Sequence, residues 1–264
     1  MPYVGNMNTT FTTMTSSDAN ITDDLTVTDD ASVGGDLTLT GSLKNGSTHF
    51  NVDSSGDVII DSDTGNWRLK DAGTTIVEFF HASDEVYVNS PVDGQNVRFN
   101  VNNGGSAICP LKIHAEGYVV KEKQPAFSAK LSSSVDNLSI GGASNTHIVF
   151  GSERFDQNAN YNVSDGLFTA PVTGKYLLSF HLRLENIDTA TSLYSFLIST
   201  SNVNYDHRFD PDFGDSDTAY YHANLTVIAD MDTNDTANVE YYVDGGTAQA
   251  DITTNSYFMG YLLG

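Results

Sequence analysis

Apolar and polar residues alternate through most of the chain, and Thr, Val, Ile, Tyr and Phe dominate the alternating segments. Such alternation is typical of β-strands with one buried face, and helical periodicity is almost absent. Asn-Gly or Asp-Gly pairs stand at 45–46, 93–94, 165–166 and 244–245, and each predicts a tight hairpin turn between two strands. The pattern therefore predicts an all-β protein.

A six-residue repeat follows a polar start. Residues 1–20 are rich in Thr, Ser and Asn, and we expect a tail that is flexible alone or orders on a partner. Within residues 21–44, the units LTVTDD, ASVGGD and LTLTGS carry apolar residues at their first and third positions. So short a stripe cannot bury itself, whereas three identical chains wound about one axis would bury it. The repeat therefore predicts an intertwined trimer rather than a single-chain β-helix, which needs many more turns.

Residues 45–122 continue with short apolar runs separated by turn-forming residues. These runs predict strands near residues 67–69, 76–80, 86–88, 97–101 and 111–113. Each run is too short and too sparsely apolar for an independent sandwich, so this segment predicts a β-shaft of intertwined chains. The composition changes near residue 123, and residues 123–264 have longer, more aromatic strands of the size of one jelly roll.

The last segment carries a regularly spaced set of aromatic, acidic and glycine positions. They are Phe150, Asp156, Tyr161, Phe168, Gly174, Tyr176 and Phe180, preceded by PAFSAKL at 125–131 and followed by SYFMGYLLG at 256–264. This spacing resembles the C1q/TNF-like globular head, with Leu178 standing where that family usually has Phe. The resemblance implies a ten-stranded jelly roll and a threefold trimer. It also implies a core signature of Phe127, Phe150, Tyr161, Phe168, Gly174, Tyr176, Phe180, Phe258 and Gly260.

The charge of the chain narrows the classes of partner. Lys and Arg number 12 against 34 Asp and Glu, for a formal net charge of −22. Affinity for nucleic acid comes mainly from clustered Lys and Arg, so this balance argues against nucleic acid and against an anionic membrane. The first twenty residues lack a positive, apolar signal-peptide pattern, and no apolar run is long enough for a membrane span. We expect synthesis in a cytoplasm without export by a signal peptide.

The order of a short tail, a six-residue repeat, a β-shaft and a trimeric head resembles the fibre or spike proteins of tailed bacteriophages. The opening MPYVGN is similar to starts of marine cyanophage fibre proteins. The resemblance implies a homotrimeric tail fibre on the virion, attached to other virion proteins through residues 1–20 and touching a host surface glycan or protein with its head. Two alternatives stay open, a capsid head fibre without a receptor role and a glycan-cleaving tail spike.

No motif predicts catalysis. The sequence contains no G-x-S-x-G, H-E-x-x-H or G-x-G-x-x-G pattern, and one cysteine, Cys109, excludes an intrachain disulfide framework. The histidines His81, His114, His147 and His181 lie in strand-like runs, where we expect packing or solvent-facing roles. We therefore predict no catalytic residue and no enzyme activity.

The densest group of carboxylates is a candidate calcium site, and residues in and beside it are candidate receptor contacts. Calcium prefers several oxygen ligands, so this group could bind it, but the spacing is not that of an EF-hand and a solvated acidic loop is the favoured interpretation. The group comprises Asp206, Asp210, Asp212, Asp215 and Asp217. Next to it, Tyr220 and Tyr221 could stack on a receptor together with contacts from Asp212 and Asp215.

Overall fold

The computed structural model describes residues 32–33, 36–40, 43 and 50–264. The chain divides into two units, Met1–Ile60 and Asp61–Gly264. The tail predicted over residues 1–20 and most of the repeat predicted over 21–44 lie outside the described residues. Within the part that the structure describes, no helix is long and apolar enough to cross a membrane.

The second unit is built from strands alone. Its elements are β1 (Trp67–Asp71), β2 (Thr74–Ala82), β3 (Glu85–Asn89), β4 (Val97–Asn103), β5 (Ser106–Ile113), β6 (Val119–Val120), β7 (Ala126–Lys130), β8 (Thr146–Ile148), β9 (Ser152–Gln157), β10 (Tyr161–Asn162), β11 (Leu167–Thr169), β12 (Gly174–Ile187), β13 (Thr191–Thr200), β14 (Asn204–Phe209), β15 (Thr218–Met231), β16 (Thr236–Gly245), β17 (Asp251–Ile252) and β18 (Tyr257–Leu262). Since the described residues contain no helix, the all-β prediction is confirmed.

The first six strands form two small antiparallel sheets, in the orders β1-β2-β3 and β4-β5-β6. Strands stand at the five places where the apolar runs predicted them. Neither sheet has a core of its own, because Cys109 is the single buried apolar side chain in residues 61–124, all of which the structure describes. The exposed apolar side chains of these strands include Trp67, Leu69, Val86, Val88, Phe99 and Val101.

The remaining strands form a jelly-roll head of two packed sheets. The front sheet has the order β15-β12-β18-β7-β9, with β17 also paired to β12. The back sheet has the order β10-β11-β16-β13-β14, with β8 also paired to β16. The longest pairing joins β12 to β15, from Gly174 opposite Met231 to Ile187 opposite Thr218. Neighbouring strands are mostly distant in sequence, as closed antiparallel folds of this type require.

The core of the head lies between the two sheets and is rich in aromatic rings. Phe127 stacks on Tyr161 and Phe168 at centroid distances of 4.7 and 4.9 Å, and meets the edge of Phe258 at 5.1 Å. Gly260 lies beside this cluster, where a Cβ atom would come within 2.5 Å of Phe127 Cε1. The aromatic positions of the sequence signature are all buried, namely Phe127, Phe150, Tyr161, Phe168, Tyr176, Phe180 and Phe258.

Two glutamine side chains fix the point where the chain joins the head. Gln124 Nε2 donates to the carbonyl oxygen of Leu262 at 2.6 Å. Gln157 Nε2 donates to the carbonyl oxygens of Lys121 at 2.9 Å and Gln124 at 2.6 Å. Leu262 pairs near the start of β12, and a strand rises about 3.3 Å per residue. The far end of β12, at Ile187, therefore lies roughly 40 Å from this junction, and we call it the distal end.

Candidate functional site

The solvent-facing side of the front sheet carries several exposed apolar side chains among polar ones. Tyr220 is 62% exposed and Ile228 is 58% exposed on β15, and Met259 and Tyr261 are exposed on β18. Ion pairs lie towards the two ends of this face. Near the junction, Lys175 Nζ is 2.6 Å from Asp230 Oδ2. Towards the distal end, Arg183 Nη2 is 2.9 Å from Glu185 Oε1. Ile228 and Tyr261 both lie opposite Leu177, and an exposed apolar cluster of this kind is typical of a contact with another protein.

A polar cleft of about 690 Å³ opens at the distal end. Its side chains come from the loops that follow β7, β14 and β16, from the end of β12 and from β17. Five of the residues that line the cleft also form hydrogen bonds there, namely Asn137, Asn186, Asp217, Gln249 and Asp251.

Asp217 forms one wall of this cleft. Its carboxylate accepts hydrogen bonds from Gln249 Nε2 at 2.8 Å and from the amide and hydroxyl of Thr189 at 3.1 and 3.2 Å. The bond from Gln249 and then the bond from the Thr189 amide hold the pKa of Asp217 below its ordinary value. Asp217 is therefore an ionised acceptor that tethers two loops.

Asp251 forms the opposite wall. It accepts hydrogen bonds from the Asn137 amide at 2.8 Å and from Asn186 Nδ2 at 3.0 Å. Both asparagines have left-handed backbone, with φ of 54° and 57°, a conformation that Asn adopts more readily than most residues. A carboxylate has about four acceptor positions, so Asp217 and Asp251 keep capacity beyond these bonds. Together with the cleft amides they present the donors and acceptors that suit a hydroxyl-rich ligand.

The predicted acidic cluster is distributed over several environments. Asp206 on β14 forms an ion pair with Arg208, Asp210 accepts from the Asp212 amide at 3.2 Å, and Asp217 belongs to the cleft. Asp212 and Asp215 are exposed in the loop between β14 and β15. Among the described residues, no group of three or more His, Cys, Asp or Glu is placed so that it could hold a metal ion.

The two neighbouring tyrosines lie on opposite faces of β15, as strand alternation requires. Tyr220 faces solvent on the front sheet, and the guanidinium of Arg183 lies 5.3 Å from its ring centroid. Tyr221 is half-buried, with its ring 4.4 Å from Phe209 and 5.3 Å from Phe213. Of the predicted pair, Tyr220 alone presents an open aromatic face.

Sequence reasoning missed most of the cleft. Asn137 and Asp251 are 114 residues apart, and Gln249 and Asp217 are 32 apart, so no local spacing connects them. Left-handed backbone at Asn137 and Asn186 left no sequence signal beyond the general tolerance of Asn for turns.

The head is similar to known protein domains. Residues 126–263 match the family model described as the C1q domain. The globular domain of the zebrafish complement 1qA protein is 17% identical with a TM-score of 0.39, over 53% of this chain and 98% of that chain. Murine APRIL, in a crystal structure at pH 8.0, is 10% identical with a TM-score of 0.40, over 53% of this chain and 100% of that chain. No curated protein matches. Because the family model spans slightly more than half of its residues, the chain belongs to the C1q domain family.

Proposed function

We propose that the chain is a structural virion protein, a homotrimeric tail fibre of a tailed bacteriophage whose C-terminal head contacts the host cell surface. The observation that carries the proposal is the amount of apolar surface that one chain leaves exposed, on the front sheet and on strands β1 to β6. Other copies of the chain could cover this apolar surface, and three copies around one threefold axis would cover it on the head and on strands β1 to β6 alike.

The head and the predicted shaft need those neighbours in the same way. C1q and TNF-like domains commonly form trimers. In a trimer, the front-sheet face with Tyr220, Ile228 and Met259 would be covered by the other copies. In the shaft, Trp67 and Phe99 would be covered as well. Fully burying one large apolar side chain contributes about 1.5–3 kcal/mol, so these residues together favour assembly strongly.

The distal cleft supports the receptor part of the proposal. It lies at the end of the head opposite the junction at Gln124, where a fibre would meet a cell. Its carboxylates and amides suit sugar hydroxyls, and domains of this family are generally binding or structural rather than catalytic. Three heads on one axis would bind a repetitive surface with avidity, so each cleft needs only modest affinity.

The mass in solution tests the trimer directly. Light scattering on the full chain should give three times 28.5 kDa. Ile228→Lys, on the front sheet, should reduce that mass, because three added charges would meet at the covered face. Val203→Lys is the matched control, since Val203 is 50% exposed and lies between two back-sheet strands. A stable monomer at micromolar concentration would contradict the proposal.

Attachment experiments separate the fibre from its alternatives. Fluorescently labelled full chain should bind host cells. A chain without residues 1–20 should bind them equally well but should no longer associate with the virion. If head variants leave infection unchanged while the truncation abolishes particle association, the capsid head-fibre alternative is correct. New reducing ends after incubation with host envelope polysaccharide would favour the glycan-cleaving alternative.

A further inference from the structure

Two histidines lie side by side on the front sheet, His181 on β12 and His222 on β15. His181 Nε2 and His222 Nδ1 are 3.1 Å apart. We propose that this pair binds one divalent transition-metal ion, such as Zn²⁺, on each chain. Neutral imidazole nitrogens are the ligands that zinc, copper and nickel favour.

The surroundings of His181 orient its free nitrogen towards His222. His181 Nδ1 lies 2.5 Å from Asn224 Oδ1, and an amide oxygen accepts, so Nδ1 carries the proton and Nε2 keeps its lone pair. Such an outer hydrogen bond is the usual way in which a metal-binding histidine is held in one tautomer. The ring is also fixed by stacking on Tyr257, at a centroid distance of 5.2 Å and an interplanar angle of 21°.

The distance between the rings agrees with convergence on a shared ion. The ring centroids of His181 and His222 are 4.9 Å apart. Two imidazoles that each hold one ion at about 2.1 Å, with this nitrogen separation, would place their centroids about 4.8 Å apart. In the metal-free chain this contact is a hydrogen bond between the two rings, and a bound ion would take the place of the shared proton. The nitrogen separation is short enough for both imidazoles to reach one ion.

The two arginines beside the pair already have partners. Arg183 forms an ion pair with Glu185 at 2.9 Å and lies over the ring of Tyr220. Arg154 lies over the ring of Tyr257. His222 is exposed and His181 is half-buried on the single chain, and both lie on the face that the proposed trimer covers, so the ion would be held where the copies meet. No third His, Cys, Asp or Glu joins the pair within the described residues, so we assign the remaining positions to water.

Zinc titration of the full chain tests the inference. The protein carries a purification tag without histidines and is stripped with a chelator before calorimetry. We expect one Zn²⁺ per chain, and at least tenfold weaker binding for His181→Gln and for His222→Gln. His81→Gln is the matched control, because His81 is exposed on β2 and its replacement should leave zinc binding unchanged.

A spectroscopic readout distinguishes a chelate from a general effect on folding. Electron paramagnetic resonance of bound Cu²⁺ should show two imidazole nitrogens in the wild type and one in His222→Gln, in samples with the same thermal unfolding profile. Absence of Zn²⁺ binding to the wild type would overturn the inference. Undiminished binding in both histidine variants would overturn it equally.

Discussion

Replacing Gly260 by Ala should destabilise the head by overpacking. Gly260 does not have left-handed backbone, so the effect comes from space alone. The added Cβ would lie 2.5 Å from Phe127 Cε1 and 2.9 Å from Leu178 Cδ2, whereas carbon atoms pack at about 3.5–4.0 Å. Phe127 cannot move away easily, because aromatic rings surround it within 5.1 Å.

The expected magnitude follows from these contacts. Overpacking of a tight core typically costs about 1–3 kcal/mol. For a head of this size, 1 kcal/mol corresponds to about 3–4 °C in Tm, so Gly260→Ala should melt about 3–12 °C below the wild type. Thermal unfolding is followed by near-ultraviolet circular dichroism, at one fixed chain concentration because assembly makes Tm concentration-dependent.

Two further variants make this prediction specific. Gly214→Ala is the control, since a Cβ at Gly214 would meet no atom within 4 Å and should leave Tm unchanged. Phe127→Leu removes the ring edge that the new Cβ would contact, so the double variant should be more stable than the two single changes predict by addition. Two results would refute this reasoning: Gly260→Ala has the same Tm as Gly214→Ala, or the effect of the double variant equals the sum of the two single effects. Either would mean that the close approach of Gly260 and Phe127 does not constrain this position.

Four further outcomes follow from the structure. Burial raises the pKa of Tyr161, so its contribution to stability is complete below about pH 10 and is lost as pH rises further; Tyr161→Phe should flatten the fall in Tm above that pH, and an equal fall in both proteins would refute this. Hydrogen bonds lower the pKa of Asp217, so its contribution is present above about pH 4 and disappears below it; Asp217→Asn should reduce the loss of Tm in acid, which an unchanged acid profile would contradict. Gln249→Ala, which removes a donor from the cleft and one hydrogen bond from Asp217, should weaken binding to host cells at least tenfold while the chain stays folded and keeps its mass in solution, and undiminished binding would exclude the cleft. A chelator should leave the mass in solution unchanged, whereas a fall in mass that Ca²⁺ reverses and Zn²⁺ does not would assign calcium to the acidic loop that includes Asp212 and Asp215.

Local alternation was enough to predict the strands but not every turn between them. Asp165 and Gly166 do connect β10 to β11 as a hairpin, with Gly166 at φ 71°. The hairpin predicted at Asp244 and Gly245 was wrong, because β16 continues through Gly245 and the chain then crosses to β17 on the front sheet. There the left-handed glycine permits close packing against Ser192, 3.0 Å from where a Cβ would stand. The Asp-Gly pair thus forms a hairpin turn at residues 165–166 and permits close packing at residues 244–245, and the sequence does not distinguish these two roles.

Two other predicted hairpins have different outcomes. Asp93 and Gly94 form a turn, but β3 and β4 on either side of it belong to different sheets, so the hairpin prediction was wrong there as well. Asn45 and Gly46 lie outside the described residues. Pairing between strands depends on contacts made far along the chain, and a two-residue signal contains no information about them.

The candidate site shows the same division between local and distant information. The exposure of Tyr220 and the half-burial of Tyr221 follow from their alternation in one strand, which the sequence displays. The cleft depends on Asn137 and Asp251 meeting across 114 residues, and the histidine pair depends on the register of β12 against β15. These juxtapositions are properties of the sheet topology, so composition and motif spacing could not predict them.

The glutamine junction has a practical consequence for protein engineering. Gly264 accepts a hydrogen bond from the Lys175 amide at 2.9 Å, at the same end of the head where Gln124 is bound to Leu262. A fluorescent protein or affinity peptide fused after residue 264 would therefore emerge roughly 40 Å from the distal cleft. Such fusions should tolerate bulky cargo without obstructing ligand access, whereas insertions in the loops around Asn186 or Gln249 would redesign the binding surface itself.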